Sequence, residues 1–124
     1  MIENIYKRLS EFCLTQLGTT TDYKEEWRAT RYMVGGKMFA MFTNDGTGKP
    51  IITLKLEPAL GALMRQQYEH IVPGYYMNKE HWNSVYLEGN VPNDVIQTML
   101  KESHRLIIES LSKKIQKELG WLVG

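Results

Sequence analysis

The hydrophobic and polar positions of the chain predict a helix at each end and strands in the middle. Apolar residues recur at three- and four-residue steps over residues 2–13, which is the period of an amphipathic helix. Gly18 ends this helix, because glycine accepts the left-handed conformation of a helix cap. Residues 19–26 show no apolar period and are predicted to form a connection. Pro92 opens a last long helix, whose apolar face and final lysines extend to Lys117.

The middle of the chain changes to the two-residue period of a strand. Residues 27–34 and 37–43 predict two strands, and Gly35 and Gly36 supply the positive φ angles of a tight hairpin turn between them. Residues 51–56 predict a third strand, in which apolar and polar side chains alternate. Three consecutive strands with short turns make an antiparallel meander.

A second helix and two further strands follow. Pro58 fits the first position of the helix, where its missing N–H costs nothing, and the apolar stripe of this helix continues to Ile71. Residues 75–77 and 83–87 are short strand candidates. The predicted order is therefore α-β-β-β-α-β-β-α. It describes a single α+β domain over residues 1–124, with helices packed on an antiparallel sheet.

Composition and charge narrow the class of protein. The chain has 124 residues, a formal net charge of +1 and one cysteine, Cys13. The near balance of charge argues against a strongly polyanion-seeking protein. A single cysteine excludes an internal disulfide, so we expect a reducing, cytoplasmic location. No apolar run approaches the roughly 20 residues of a membrane helix, and no contact with a membrane is expected.

The sequence displays no arrangement typical of catalysis or metal binding. His70, His81 and His104 lie in three different predicted elements, and none belongs to a metalloprotease motif. Residues 45–49, DGTGK, lack the spacing of a phosphate loop and sit between antiparallel strands. We therefore expect no enzymatic activity, no catalytic residues, no metal and no cofactor.

Basic and aromatic residues interleave in the predicted meander. Residues 24–55 hold six basic side chains against three acidic ones, a pattern found on nucleic-acid-binding surfaces. A solvated strand face with ordinary core aromatics explains the same pattern equally well. In the later segment, Trp82 is predicted to anchor the core, with its neighbours exposed. The candidate nucleic-acid contacts are Arg28, Arg31, Lys37, Lys49, Lys55, Lys79 and His81.

Four segments of the chain resemble the MmcQ/YjbR family of small bacterial proteins. They are VGGKMFAMF at residues 34–42, ITLK at 52–55, YEHIVPGYYMNKEHWNSVYLEG at 68–89, and KESHRLI at 101–107 in the last helix. The resemblance covers nearly the whole chain. It implies a YjbR-like, secretion-chaperone-like α+β fold and a CyaY-like, double-wing description with a DNA-binding role.

Three kinds of function remain open from the sequence. The first is a module that contacts the phosphates of double-stranded DNA through the hairpin wings. The second is an adaptor that binds another protein, or a second copy of itself, through an exposed sheet face or edge. A small-molecule or metal binder, the third, would need a pocket. One coherent positive face would favour DNA, whereas a mixed face with an apolar patch would favour a protein partner.

Overall fold

An antiparallel sheet with four helices on one of its faces forms the domain that the computed structural model describes, over residues 2–123. The helices are α1 (Ile2–Thr15), α2 (Pro58–Gln67), α3 (Asn93–Glu109) and α4 (Lys113–Leu119). The strands are β1 (Thr19–Lys24), β2 (Ala29–Val34), β3 (Lys37–Asn44), β4 (Pro50–Lys55), β5 (Ile71–Pro73) and β6 (Trp82–Tyr86), and a 3₁₀ turn at Glu25–Trp27 joins β1 to β2.

The strand order across the sheet is β1-β2-β3-β4-β6-β5, and every neighbouring pair is antiparallel. The predicted α+β class and the predicted meander of β2, β3 and β4 are confirmed. The predicted element order lacked one strand at the start of the sheet and one helix at the end of the chain.

The missed strand is β1, which occupies most of the segment predicted to be a connection. Its sequence, TTTDYK, is rich in β-branched and aromatic residues, which favour strands. As an edge strand, β1 has no buried residue on either face, so it shows no apolar alternation. The hydrophobic periodicity therefore failed to predict β1, although its residues have a high strand propensity.

The segment after α2 differs from the prediction at two points. The helix ends at Gln67, and Ile71 belongs to β5 instead of the helical stripe. Residues 75–77 form turns instead of a strand, and Tyr76 has φ = +67°. A left-handed backbone is incompatible with the extended conformation of a strand, so the chain turns away from the sheet at this residue.

The predicted last helix is two helices. Ser112 caps α4 by accepting a hydrogen bond from the N–H of Ile115 on its Oγ, which is a typical role of serine at a helix N-terminus. The Nε2 of Gln116 donates to the carbonyl oxygens of Glu109 and Leu111 and so completes the end of α3. The first lysines of α4 consequently lie at its N-terminus, whereas the prediction placed them at a helix C-terminus.

The core lies between the four helices and the facing side of the sheet. The predicted inner face of α3 is confirmed: Met99, Leu100 and Ile107 are buried against the strands. Ser103 belongs to the same face, and its Oγ donates to the carbonyl oxygen of Phe39 at 2.6 Å and accepts from the N–H of Lys55 at 2.8 Å. One helical hydroxyl thus satisfies a backbone group on each of β3 and β4.

Replacing Ser103 with alanine should therefore destabilise the domain. The substitution leaves an N–H and a carbonyl without their partner, and one such unsatisfied group costs about 1–3 kcal/mol. The free energy of unfolding, measured by urea denaturation, should fall by that amount. Thr98→Ala is the matched control, because it removes an exposed hydroxyl from the same helix that bonds only the carbonyl of Asp94. Equal losses for the two variants would show that Ser103 does not bridge the strands.

Candidate binding site

The face of the sheet that points away from the helices, here called the outer face, is itself largely covered. Arg31, Met41, Thr53 and Ser84 lie side by side across four neighbouring strands of this face. Met41, Thr53 and Ser84 are nevertheless buried, although all four helices lie on the other side. Their cover comes from the 3₁₀ turn and from the loop that joins β5 to β6, here called the cover loop (residues 74–81).

Backbone and side-chain hydrogen bonds hold the start of the cover loop against the outer face. The Oγ of Ser84 accepts from the N–H of Tyr75 at 3.0 Å and bonds the Oγ1 of Thr53 at 2.7 Å. The N–H of Gly74 donates to the carbonyl of Trp82 at 2.7 Å. A Cβ at position 74 would lie within 2.8 Å of the Trp82 backbone, so only glycine allows this approach.

Asp45 connects the cover loop to the turn between β3 and β4. Its Oδ1 accepts from the N–H and Oγ1 of Thr47 and from the N–H of Lys49 at 2.8–2.9 Å, and its Oδ2 accepts from the hydroxyl of Tyr86 at 2.7 Å. The Tyr86 oxygen is 3.0 Å from the hydroxyl of Tyr75. This second bond connects the network to the cover loop, to which Tyr75 belongs.

These hydrogen bonds shift the pKa values of both groups. The bond from Tyr86, followed by that from the Lys49 amide, holds the pKa of Asp45 well below its ordinary range. The bonds with Tyr75 and with Asp45 raise the pKa of Tyr86 above that of a free tyrosine. The network is therefore charged and intact at neutral pH.

A cleft of about 470 Å³ opens between the 3₁₀ turn and the cover loop. Its volume lies within the roughly 300–1,000 Å³ of typical ligand pockets. Trp27 is 48% exposed and Tyr76 is 66% exposed, so both aromatic residues are accessible for contact. The lining residues are Glu26, Trp27, Met41, Thr43, Tyr76 and Met77.

Both sides of the cleft carry a strained backbone. Within residues 2–123, the non-glycine residues with positive φ are Arg28, at +49°, and Tyr76, at +67°. Such conformations cost on the order of 1–3 kcal/mol each and are concentrated at functional sites. Arg28 follows the 3₁₀ turn, and its carbonyl accepts a bond from the Oγ1 of Thr43 on the cleft floor. Tyr76 holds its ring at the opposite side.

The charges beside Trp27 are mixed. The Nζ of Lys24 lies 4.9 Å from the Trp27 ring centroid, and the Cζ of Arg31 lies 5.6 Å from it. Arg31 forms a two-bond ion pair with Asp22, with N–O distances of 2.8 and 2.6 Å, and this pair lowers the pKa of Asp22. Lys24 is 3.6 Å from Glu26. Both cations therefore have a carboxylate partner.

The structure does not bring the predicted nucleic-acid contacts together. Arg28 and Lys49 are exposed at the end of the sheet where β3 finishes, and Arg31 lies between the two ends on the outer face. Lys37 is exposed at the opposite end, where β3 begins. It pairs with Val34, which points into the core, so Lys37 projects from the helix-covered face.

Lys55, Lys79 and His81 lie near that opposite end but on the other side of the sheet. Lys55 alternates with core residues of β4 and so points from the outer face. Lys79 reaches back to the carbonyl of Gly74, with its Nζ 3.1 Å away, and the carbonyl of His81 accepts from the N–H of Leu56. Lys79 and His81 therefore help to hold the cover loop in place.

Two features of the site were not recognised in the sequence. Trp82 is half-buried on the outer face beside Lys55, and the prediction that it anchors the core is wrong. Tyr76 and Met77 were interpreted as strand residues, although they form one side of the cleft. The available signal was a run of three large side chains directly after Pro73 and Gly74, a turn dipeptide.

Neither a metal site nor a membrane-spanning helix is found within residues 2–123. Within residues 2–123, no three His, Cys, Asp or Glu side chains are grouped so that they could hold a metal ion. Across the same residues, no helix has the length and apolar character needed to cross a bilayer. His104 is buried and bonds the carbonyl of Leu17 at 2.8 Å, and His70 bonds Asn90 at 2.8 Å.

Fold and cleft together define a small α+β protein with a covered outer sheet face and an aromatic-lined cleft. A family model described as YjbR matches residues 14–106, three quarters of the chain. The chain belongs to the YjbR family, which confirms the resemblance seen in its motifs.

The relatives support this membership over nearly the full length. The chain is 31% identical to the uncharacterized protein YjbR of Escherichia coli K12, with 90% of this chain and 93% of the relative covered. It is 32% identical to the uncharacterized protein YyaQ of Bacillus subtilis strain 168, with 84% and 95% covered. The crystal structure of Deinococcus radiodurans protein DR2400, a DUF419 domain, superposes with a TM-score of 0.84 at 27% identity, covering 94% of this chain and 88% of that one.

Acidification should destabilise the protein through Asp45. Because the folded-state pKa of this carboxylate is lowered, its contribution to stability is present above the unfolded-state pKa and is lost as the pH falls through the folded-state value. The melting temperature should therefore decline steadily below about pH 5. Asp45→Asn should lower the melting temperature at pH 7 and flatten this decline. Asp22→Asn, which removes an exposed carboxylate, should leave most of the decline in place; the same flattening in both variants would contradict the assignment to Asp45.

Proposed function

We propose that this protein is a non-catalytic, cytoplasmic adaptor that binds a segment of a partner protein on the outer face of its sheet. An apolar or aromatic side chain of the partner would occupy the cleft between Trp27 and Tyr76. The observation that carries the proposal is the cleft itself. Two exposed aromatic residues and two methionines line it, and its polar lining residues are Glu26 and Thr43.

The chemistry of the lining favours a protein side chain. Methionine side chains are flexible and polarisable, so they adapt to differently shaped apolar groups, and Met41 and Met77 supply two of them. Tyrosine and tryptophan are enriched among the residues that dominate protein interfaces. Glu26 and Thr43 offer the polar atoms that would fix the direction of a bound segment.

The charge around the cleft also favours a protein over a polyanion. Lys24 and Arg31 both lie over the ring of Trp27, and each is paired with a carboxylate. A phosphate placed there would compete with those carboxylates, whereas a neutral or mixed segment would not. The surface is thus the mixed face with an apolar patch that the sequence associated with a protein partner.

A cytoplasmic location agrees with the state of the one cysteine. Cys13 is buried on the core side of α1, and desolvation raises the pKa of its thiol to about 12. A protonated, enclosed thiol is unreactive towards oxidants. Nothing in this arrangement requires an oxidising compartment.

A phage-displayed library of random linear peptides would test the proposal. Peptides selected on the immobilised wild-type protein should share an aromatic or large aliphatic residue, and their affinity, measured by fluorescence anisotropy, should depend little on salt. Trp27→Ala and Tyr76→Asn should each weaken binding about tenfold or more, as the loss of a central aromatic contact does. Asparagine suits position 76 because it tolerates positive φ.

Leu63→Ala is the control, because Leu63 is a similarly exposed apolar residue on α2, away from the cleft. The affinity of this variant for the selected peptides, and its melting temperature, should match those of the wild type. Selected peptides that bind Trp27→Ala and Tyr76→Asn as tightly as wild type would exclude the cleft as the binding site. If selection on the wild-type protein enriches no peptide, the result would argue against the adaptor function.

DNA binding is a second candidate, favoured by the family resemblance and by one observation. Two basic residues, Lys24 and Arg31, lie over the exposed ring of Trp27, and an aromatic ring beside cations is a surface on which bases can stack. Anisotropy of a labelled random-sequence duplex, at low and at near-physiological salt, tests it. Binding with a steep log–log salt slope would support phosphate contacts, and no binding at low salt would exclude them.

A further inference from the structure

The two edges of the sheet differ in how they are protected. At one edge, β5 has three residues, ends in Pro73 and packs beside α2. A short strand with proline is a common way to prevent pairing with another chain. At the other edge, β1 has six residues, contains neither proline nor glycine, and pairs only with β2 within residues 2–123. Half of its backbone N–H and C=O groups therefore face outward without a strand partner.

Exposed apolar side chains are concentrated beside this open edge. Of the eight large hydrophobic residues exposed within residues 2–123, four lie on α1, directly after it, or on β1. These four are Tyr6, Leu14, Leu17 and Tyr23. Since α1 packs against β1, these two elements and the segment between them are here called the β1 surface. Exposed apolar side chains next to an unpaired strand are typical of an interface.

We propose that the β1 surface binds a second copy of this chain, with the two β1 strands antiparallel across a two-fold axis. The six-stranded sheets of the two copies would then form one continuous sheet, and both α1 helices would lie on the same side of it. This inference does not rest on the proposed function, because the cleft lies on the outer face and remains open in the dimer.

Symmetry and charge select one register for this pairing. Outward-facing backbone groups alternate along a strand, so two identical strands can pair around a two-fold axis only with a residue opposite itself. With Asp22 at the axis, two carboxylates would oppose each other, which is unfavourable. With Thr20 or Tyr23 at the axis, only three residues of each strand would overlap.

The register centred on Thr21 has neither defect. It pairs five residues of each strand and places Thr21 opposite Thr21, a favourable cross-strand pair. It also places Thr20 opposite Asp22 of the second copy, and Thr19 opposite Tyr23. No two like charges face each other in this arrangement. The strand is therefore complementary to itself, which is the argument for a second copy as the partner.

Two lysine substitutions on adjacent exposed residues test the inference. Thr21→Lys places like charges opposite each other at the axis, whereas Thr20→Lys places each new lysine opposite Asp22 of the other copy. Sedimentation velocity over a series of concentrations should show a monomer–dimer equilibrium for the wild type. Thr21→Lys should weaken dimerisation about fivefold, and Thr20→Lys should preserve or strengthen it.

The two variants control for each other, because both add the same residue to the same exposed strand. Thr21→Lys also removes the bond from the Oγ1 of Thr21 to the carbonyl of Arg31, so its melting temperature at low concentration should be slightly lower than that of Thr20→Lys. A single cooperative unfolding transition in both variants would show that the monomer fold is retained. A wild-type protein that stays monomeric at high concentration would overturn the inference. Equal weakening by both substitutions would overturn the proposed register, and no effect of either would exclude the β1 surface as the dimer interface.

Discussion

The hydrogen bonds of the Asp45 carboxylate are the interaction on which the cleft depends. They fix the turn between β3 and β4 on one side and, through Tyr86 and Tyr75, hold the cover loop on the other. This connection acts together with the bonds from the Gly74 and Tyr75 amides, which hold the start of the loop over polar side chains such as Thr53. With the loop in place, the buried hydroxyls of the outer face are satisfied and the sheet has a cover on both sides.

The parts of the fold that the sequence predicted are those with a strong local signal. Strands β2, β3 and β4 combine alternating side chains with an evident glycine turn, and α3 has a long apolar stripe, so each was assigned correctly. Strand β1 is exposed on both faces, and its pairing with β2 is a tertiary effect that alternation cannot reveal. The break between α3 and α4 depends on side-chain caps, which a periodic pattern does not contain.

The candidate site was harder to predict, because its character arises from partners far apart in the sequence. Arg31 was assigned to a basic surface, yet the pairing of β1 with β2 puts Asp22 directly opposite it and neutralises its charge locally. In the sequence, Met41 looks like an ordinary alternating strand residue. In the structure, it lines the same cleft as Tyr76 of the cover loop. Charge counted along the chain therefore overestimated the basic face, and the apolar cleft gave no sequence pattern.

Tyr76 gives the strongest structural reason to regard the cleft as more than a packing gap. A tyrosine with a left-handed backbone is costly, and glycine at this position would remove the strain. The ring offsets part of that cost by packing beside the Tyr75 ring, with centroids 5.9 Å apart, but it is mostly exposed and its hydrogen bond to the carbonyl of Asn44 is 3.4 Å long. The exposed part of the side chain lines the cleft, which is where we propose that a partner binds.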